Sequence, residues 1–89
     1  MIAKQLKLSK VGNRFYIFPQ GDVKQMFAMN SSCKIIWDYL QENITLDDLI
    51  IKVADYYQVE PDIVSLDIKE VIQSFINNDL LILDNANNL

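Results

Sequence analysis

The chain has 89 residues, 51% of them hydrophobic, with two Gly, two Pro, one Cys, no His and a net charge of -4. That composition describes one small ordered domain. It excludes a disordered or collagen-like chain, an internal disulfide, a cysteine-based zinc site and chemistry that needs a histidine base.

The first third carries strand signals. Ile2, Lys4, Leu6 and Leu8 share one parity, Phe15-Tyr16-Ile17-Phe18 is an aromatic and β-branched run, and a third run extends from Val23 to Met29. Gly12-Asn13 and Pro19-Gln20-Gly21-Asp22 lie between these runs, which predicts a three-stranded antiparallel meander over residues 1–29. Alternation in the third run places Val23, Gln25, Phe27 and Met29 on the core face and Asp22, Lys24, Met26 and Ala28 on the other. In such a meander the third strand lies at an edge. An exposed edge carrying Met26 and Ala28, with no Pro, invites pairing with another chain unless something covers it.

From residue 30 the period becomes helical. Asn30 is a suitable N-cap for a helix over about 31–41, with Ile36, Trp37 and Leu40 as its stripe and Cys33 and Tyr39 beside it. Thr45 caps a second helix with Asp48 three residues on, and Leu46, Leu49, Ile50, Val53 and Tyr57 form its apolar face, ending near Gln58. Pro61 fits the first turn of a third helix that runs to about Asn78. At 100° per residue, Val71, Val64, Phe75, Ile68, Ile72 and Ile76 fall in that order along its buried arc. Leu80 to Leu83 reads as a short extended segment and residues 84–89 as a flexible tail. The predicted fold is a single α+β domain, a three-stranded sheet over 1–29 followed by a three-helix part over 30–79.

Charge divides unevenly between the two parts. Residues 1–29 hold Lys4, Lys7, Lys10, Arg14 and Lys24 against Asp22, a balance of +4, while residues 30–89 hold three basic and eleven acidic side chains, a balance of -8. The basic group is a candidate for steering an acidic peptide. Cys33 has no His partner and reads as a structural cysteine, Trp37 as core, and Asp47, Asp48 and Asp55 as a helical carboxylate set answering the macrodipole. No apolar run approaches the roughly 18 residues of a membrane span, and Met1 to Leu8 mixes polar with apolar residues where a signal peptide is apolar throughout. A cytoplasmic domain without metal or cofactor is expected.

Met29-Asn30-Ser31-Ser32-Cys33 leading into Ile36-Trp37-Asp38-Tyr39-Leu40, then Thr45-Leu46-Asp47-Asp48-Leu49, Tyr56-Tyr57-Gln58-Val59, and Asp67-Ile68 to Phe75-Ile76 with Leu80-Leu81-Ile82, resembles the PqqD-like family of RiPP recognition elements. The resemblance runs from about Val11 to Leu83. Met29 stands where the family usually has Leu, and Asn43 and Asn78 stand where it has glycine turns, which makes these asparagines the expected left-handed helix ends.

The resemblance implies a small winged helix-turn-helix and a binding function without catalysis. Such a domain takes the leader segment of a ribosomally synthesised precursor peptide as an antiparallel strand on the third strand, and presents it to a modifying enzyme such as a radical-SAM enzyme or a leader peptidase. On this chain the strand wall comprises Val23, Lys24, Gln25, Met26, Phe27 and Ala28. Lys69, Ile72, Gln73 and Ile76 form the expected helix wall, because the opposite flank, with Asp67, Ser74 and Asn78, would make it polar. Two alternatives share the topology, a DNA-binding winged helix and a non-catalytic adaptor or dimer that uses its sheet edge. DNA is disfavoured because residues 61–79 hold Asp62, Asp67, Glu70 and Asp79 against Lys69.

Overall fold

The computed structural model describes residues 1–18 and 26–83, arranged as five short strands and three helices. Gly12 turns the chain back on itself at φ 63, the positive value that a two-residue hairpin loop asks of its first residue. The hairpin joins β2 (Leu8–Val11) to β3 (Arg14–Ile17) in antiparallel register, with Leu8 opposite Ile17 and Val11 opposite Arg14. β4 (Phe27–Met29) pairs with the other side of β3, Phe15 facing Met29 and Ile17 facing Phe27. The sheet order is β2-β3-β4, which leaves β4 at an edge.

This corrects the reading of the first strand. Ile2 to Leu8 is not one strand of the meander. β1 (Ile2–Ala3) leaves the sheet and pairs antiparallel with β5 (Leu81–Ile82), and the hairpin takes its first strand from the residues that follow. Alternation cannot distinguish these arrangements, because both leave the same parity half-buried. Ala3 N also donates to Leu40 O at 2.7 Å and Lys4 N to Leu80 O at 2.9 Å, so this ribbon closes over the far end of the first helix.

The helices follow the capping chemistry. α1 (Ser31–Tyr39) begins with the Asn30 side chain accepting from Cys33 N at 2.9 Å, and α2 (Leu46–Tyr57) with Thr45 Oγ1 accepting from Asp48 N at 3.1 Å. α3 (Pro61–Asn77) has Pro61 in its first turn. The left-handed residues are Gln58 and Asp79, at φ 56 and 60, and neither Asn43 nor Asn78 takes that conformation. Asn78 ends α3 at φ -98, and Asp79 makes the turn while Leu80 N reaches back to Phe75 O at 2.9 Å and Asp79 N to Ile76 O at 3.0 Å. That is the Schellman pattern displaced by one residue from the expected asparagine. Lys4 bridges to Asp79 at 2.7 Å, tying the first ribbon to the same turn.

The core lies between the sheet and the three helices. Phe75, Ile17, Met29, Leu40, Leu49, Ile68 and Leu80 are its fully buried side chains, and Ile36, Trp37 and Ile72 complete its middle. No helix among the described residues is long and apolar enough to cross a membrane.

Candidate functional site

β4 positions the site by presenting two unlike faces. Met29 is buried, Phe27 is half-buried with its ring edge-to-face against Phe75 at 5.6 Å, and Met26 and Ala28 are exposed, Met26 at 49%. Among the described residues no backbone hydrogen bond runs from the outer edge of β4 to another element. Val23, Lys24 and Gln25, the remaining residues expected on the strand wall, lie outside the described residues.

Beside this strand runs a cleft of about 330 Å³ lined by Phe27, Cys33, Asp67, Glu70, Val71, Ser74 and Phe75. The α3 flank that faces the strand is therefore the one with Asp67 and Ser74. Lys69, Ile72, Gln73 and Ile76 do not line the cleft. Ile72 is buried in the core, Lys69 and Gln73 are exposed, Gln73 Nε2 donates to Asn77 Oδ1 at 3.0 Å, and Ile76 stands at the other end of the buried arc. The floor is apolar because Val71, Phe27 and Phe75 supply it, and the polar groups of Asp67, Glu70 and Ser74 stand around it. The expectation that a flank with polar residues makes a polar groove treated every residue of a flank as floor.

Cys33 belongs to this wall, a contribution that sequence reasoning assigned only to the core. Burial raises its thiol above the ordinary value, against the lowering effect of a backbone hydrogen bond with Asn30. At neutral pH it is a neutral, weakly polar side chain. The basic residues expected to steer an acidic peptide are placed elsewhere. Lys4 is engaged by Asp79, Lys10 Nζ stands 5.6 Å from the Phe15 ring centre, and neither they nor Lys7 and Arg14 line the cleft. Lys24 lies outside the described residues. Among the described residues, the charged side chains that do line the cleft, Asp67 and Glu70, are acidic.

A second cleft of about 430 Å³ opens where α1, α2 and α3 meet, lined by Ser32, Ile36, Val53, Tyr57, Val59, Ile63, Val64, Asp67, Ile68 and Val71. It shares Asp67 and Val71 with the first. Among the described residues no group of His, Cys, Asp and Glu is placed to hold a metal ion. What these surfaces offer, among the described residues, is a strand edge, an apolar trough and an acidic margin.

Comparison with known proteins bears on the fold and the family. A search of curated proteins finds no match. Among solved structures, the chain is similar to TbiB1, described in complex with the TbiA(beta) leader peptide, at a TM-score of 0.72 and 17% identity, covering 94% of this chain and 100% of that one. At that identity the likeness shows the shared fold. The sequence pattern described as Coenzyme PQQ synthesis protein D (PqqD) matches residues 17–81, from β3 through all three helices to β5, and by that match the chain belongs to the PqqD family.

Proposed function

We propose that the chain binds the leader segment of a ribosomally synthesised precursor peptide as a strand added antiparallel to β4, and presents it to a modifying enzyme such as a radical-SAM enzyme or a leader peptidase. The observation that carries this reading is the juxtaposition of an edge strand exposing Met26 and Ala28 with the apolar-floored cleft between Phe27 and α3. An added strand gains affinity from main-chain hydrogen bonds and specificity from alternate side chains that enter the cleft. Membership of the PqqD family supports the reading, as does the leader peptide bound to TbiB1, a protein of the same fold. In this role the domain supplies a surface and leaves chemistry to its partner. The same helix is poorly suited to duplex DNA, since α3 carries Asp62, Asp67 and Glu70 against Lys69.

The test is a calorimetric titration of the full chain with synthetic peptides covering the leader half and the core half of a precursor encoded beside it. The leader half binds and the core half does not. Binding to the core half with none to the leader sinks the reading, and so does a concentration-dependent dimer, seen by light scattering, that a leader peptide cannot dissociate.

A further inference from the structure

The two clefts adjoin. Asp67 and Val71 line both, so the trough beside β4 is neighboured, past the start of α1, by the space between Tyr57, Val59, Ile63 and Val64. Its position relative to β4 fixes which part of a bound peptide can reach it. β4 runs from Phe27 to Met29 and leads directly into α1, whose first turn supplies Ser32 to the second cleft. A peptide paired antiparallel with β4 has its N-terminal side at that end. The residues that follow the trough onward are those N-terminal to the paired segment.

The second cleft is apolar where it is accessible. Ile63 is 66% exposed and Tyr57 43%, a solvent exposure that a bound apolar group would relieve, and Val59 and Val64 stand beside them. Its volume of about 430 Å³ lies in the range of small-ligand sites and accommodates a large side chain. Tyr57 Oη stands 3.5 Å from Ser32 Oγ, so the end of α2 approaches the start of α1 at this cleft. Asp67, which lines both clefts, and Glu70, which lines the first, place negative charge on the α3 side, and among the described residues no basic side chain lines either cleft.

We propose that this second cleft is a subsite for a large apolar side chain of the peptide, N-terminal to the strand-paired segment, and that a Lys or Arg between the two is recognised by Asp67 and Glu70. The inference rests on the leader-binding reading and adds the chemistry of the peptide: an apolar anchor followed by a basic residue and then the paired strand.

The probes are the synthetic leader half and the same peptide shortened stepwise from its N-terminus, titrated into the wild-type chain and a Tyr57→Ser/Ile63→Ser variant. Both substituted side chains are exposed, so the fold is kept, which the urea midpoint checks. The variant weakens binding of the full leader by about tenfold or more, the loss expected for one large apolar side chain, and leaves the shortened peptide unaffected. On the wild-type chain the amide resonances of Tyr57, Val59 and Ile63 shift with the full leader and not with the shortened one. An Asp67→Asn/Glu70→Gln variant flattens the salt dependence of binding. Unchanged affinity of the serine variant, together with unmoved resonances, overturns the subsite while leaving leader binding intact. Unaltered salt dependence overturns the basic-residue assignment, and a wild-type chain that binds no leader overturns both readings.

Discussion

Phe27 on β4 and Phe75 on α3 meet edge-to-face with ring centres 5.6 Å apart and planes at 71°, and this contact joins the two walls of the cleft. Phe75 makes a second such contact with Trp37 on α1, also at 5.6 Å, and is wholly buried. One side chain thus fixes strand, presenting helix and first helix in a common frame.

Phe75→Ala removes that frame. Truncating a buried Phe costs about 3–5 kcal/mol, against a total of roughly 5–15 kcal/mol for a native domain. The urea midpoint falls steeply, or the chain is unfolded at 25 °C. Phe27→Ala, at a half-buried position, costs less stability and weakens leader binding.

The strand edge is tested separately from the fold. Met26→Lys and Ala28→Asp alter exposed side chains, so their far-UV circular dichroism matches the wild type while leader affinity drops. Wild-type affinity in both variants would show that the peptide does not use this edge.

The two flanks of α3 make opposite predictions. Ser74→Arg fills the cleft and weakens leader binding several-fold, whereas Gln73→Arg, one residue earlier and outside the cleft lining, binds like the wild type. Equal losses from both, or a loss from Gln73→Arg alone, would restore the flank with Lys69 and Ile76 as the wall.

Cys33 reports on the cleft through its thiol. Its folded pKa is raised by burial, so the folded chain holds the proton more tightly than the unfolded chain does. The associated stability is full below the ordinary value of 9.0 and is lost as pH rises from there through the folded value. Cys33→Ser removes this slope from a plot of unfolding free energy against pH. Alkylation of Cys33 by iodoacetamide at pH 8 is slower in the folded chain than in urea, and slower again with a leader peptide in the cleft.

The helices were legible because their signals are local: Asn30 and Thr45 accept the bonds their positions forecast, and Pro61 opens α3. The strands were less so. Ile2 and Leu8 share a parity but belong to different sheets, a distinction made by pairing with Leu81 and Ile82, far along the chain. The site divided similarly. Alternation put Met26 and Ala28 outward and Met29 inward, as observed, while the flank of α3 that meets the strand is set by the helix's rotation against Phe27, which periodicity does not encode. Charge was summed along segments, whereas among the described residues Lys4 pairs with Asp79 and the charged side chains lining the cleft come from α3.

The β1–β5 ribbon has an architectural consequence. Ile2 lies directly across from Ile82, so the two ends of the described chain lie at neighbouring points, and Ala3 N, in the same ribbon, bonds Leu40 O at the end of α1. Cys33 and Ser32, which line the clefts, are at the beginning of that helix, and its nine residues at 1.5 Å each separate the two ends by about 13 Å. Residues 2 and 82 thus stand together at the end of α1 opposite the one that lines the clefts. A probe attached at Ile2 or Ile82 therefore stands about the length of α1 from the clefts.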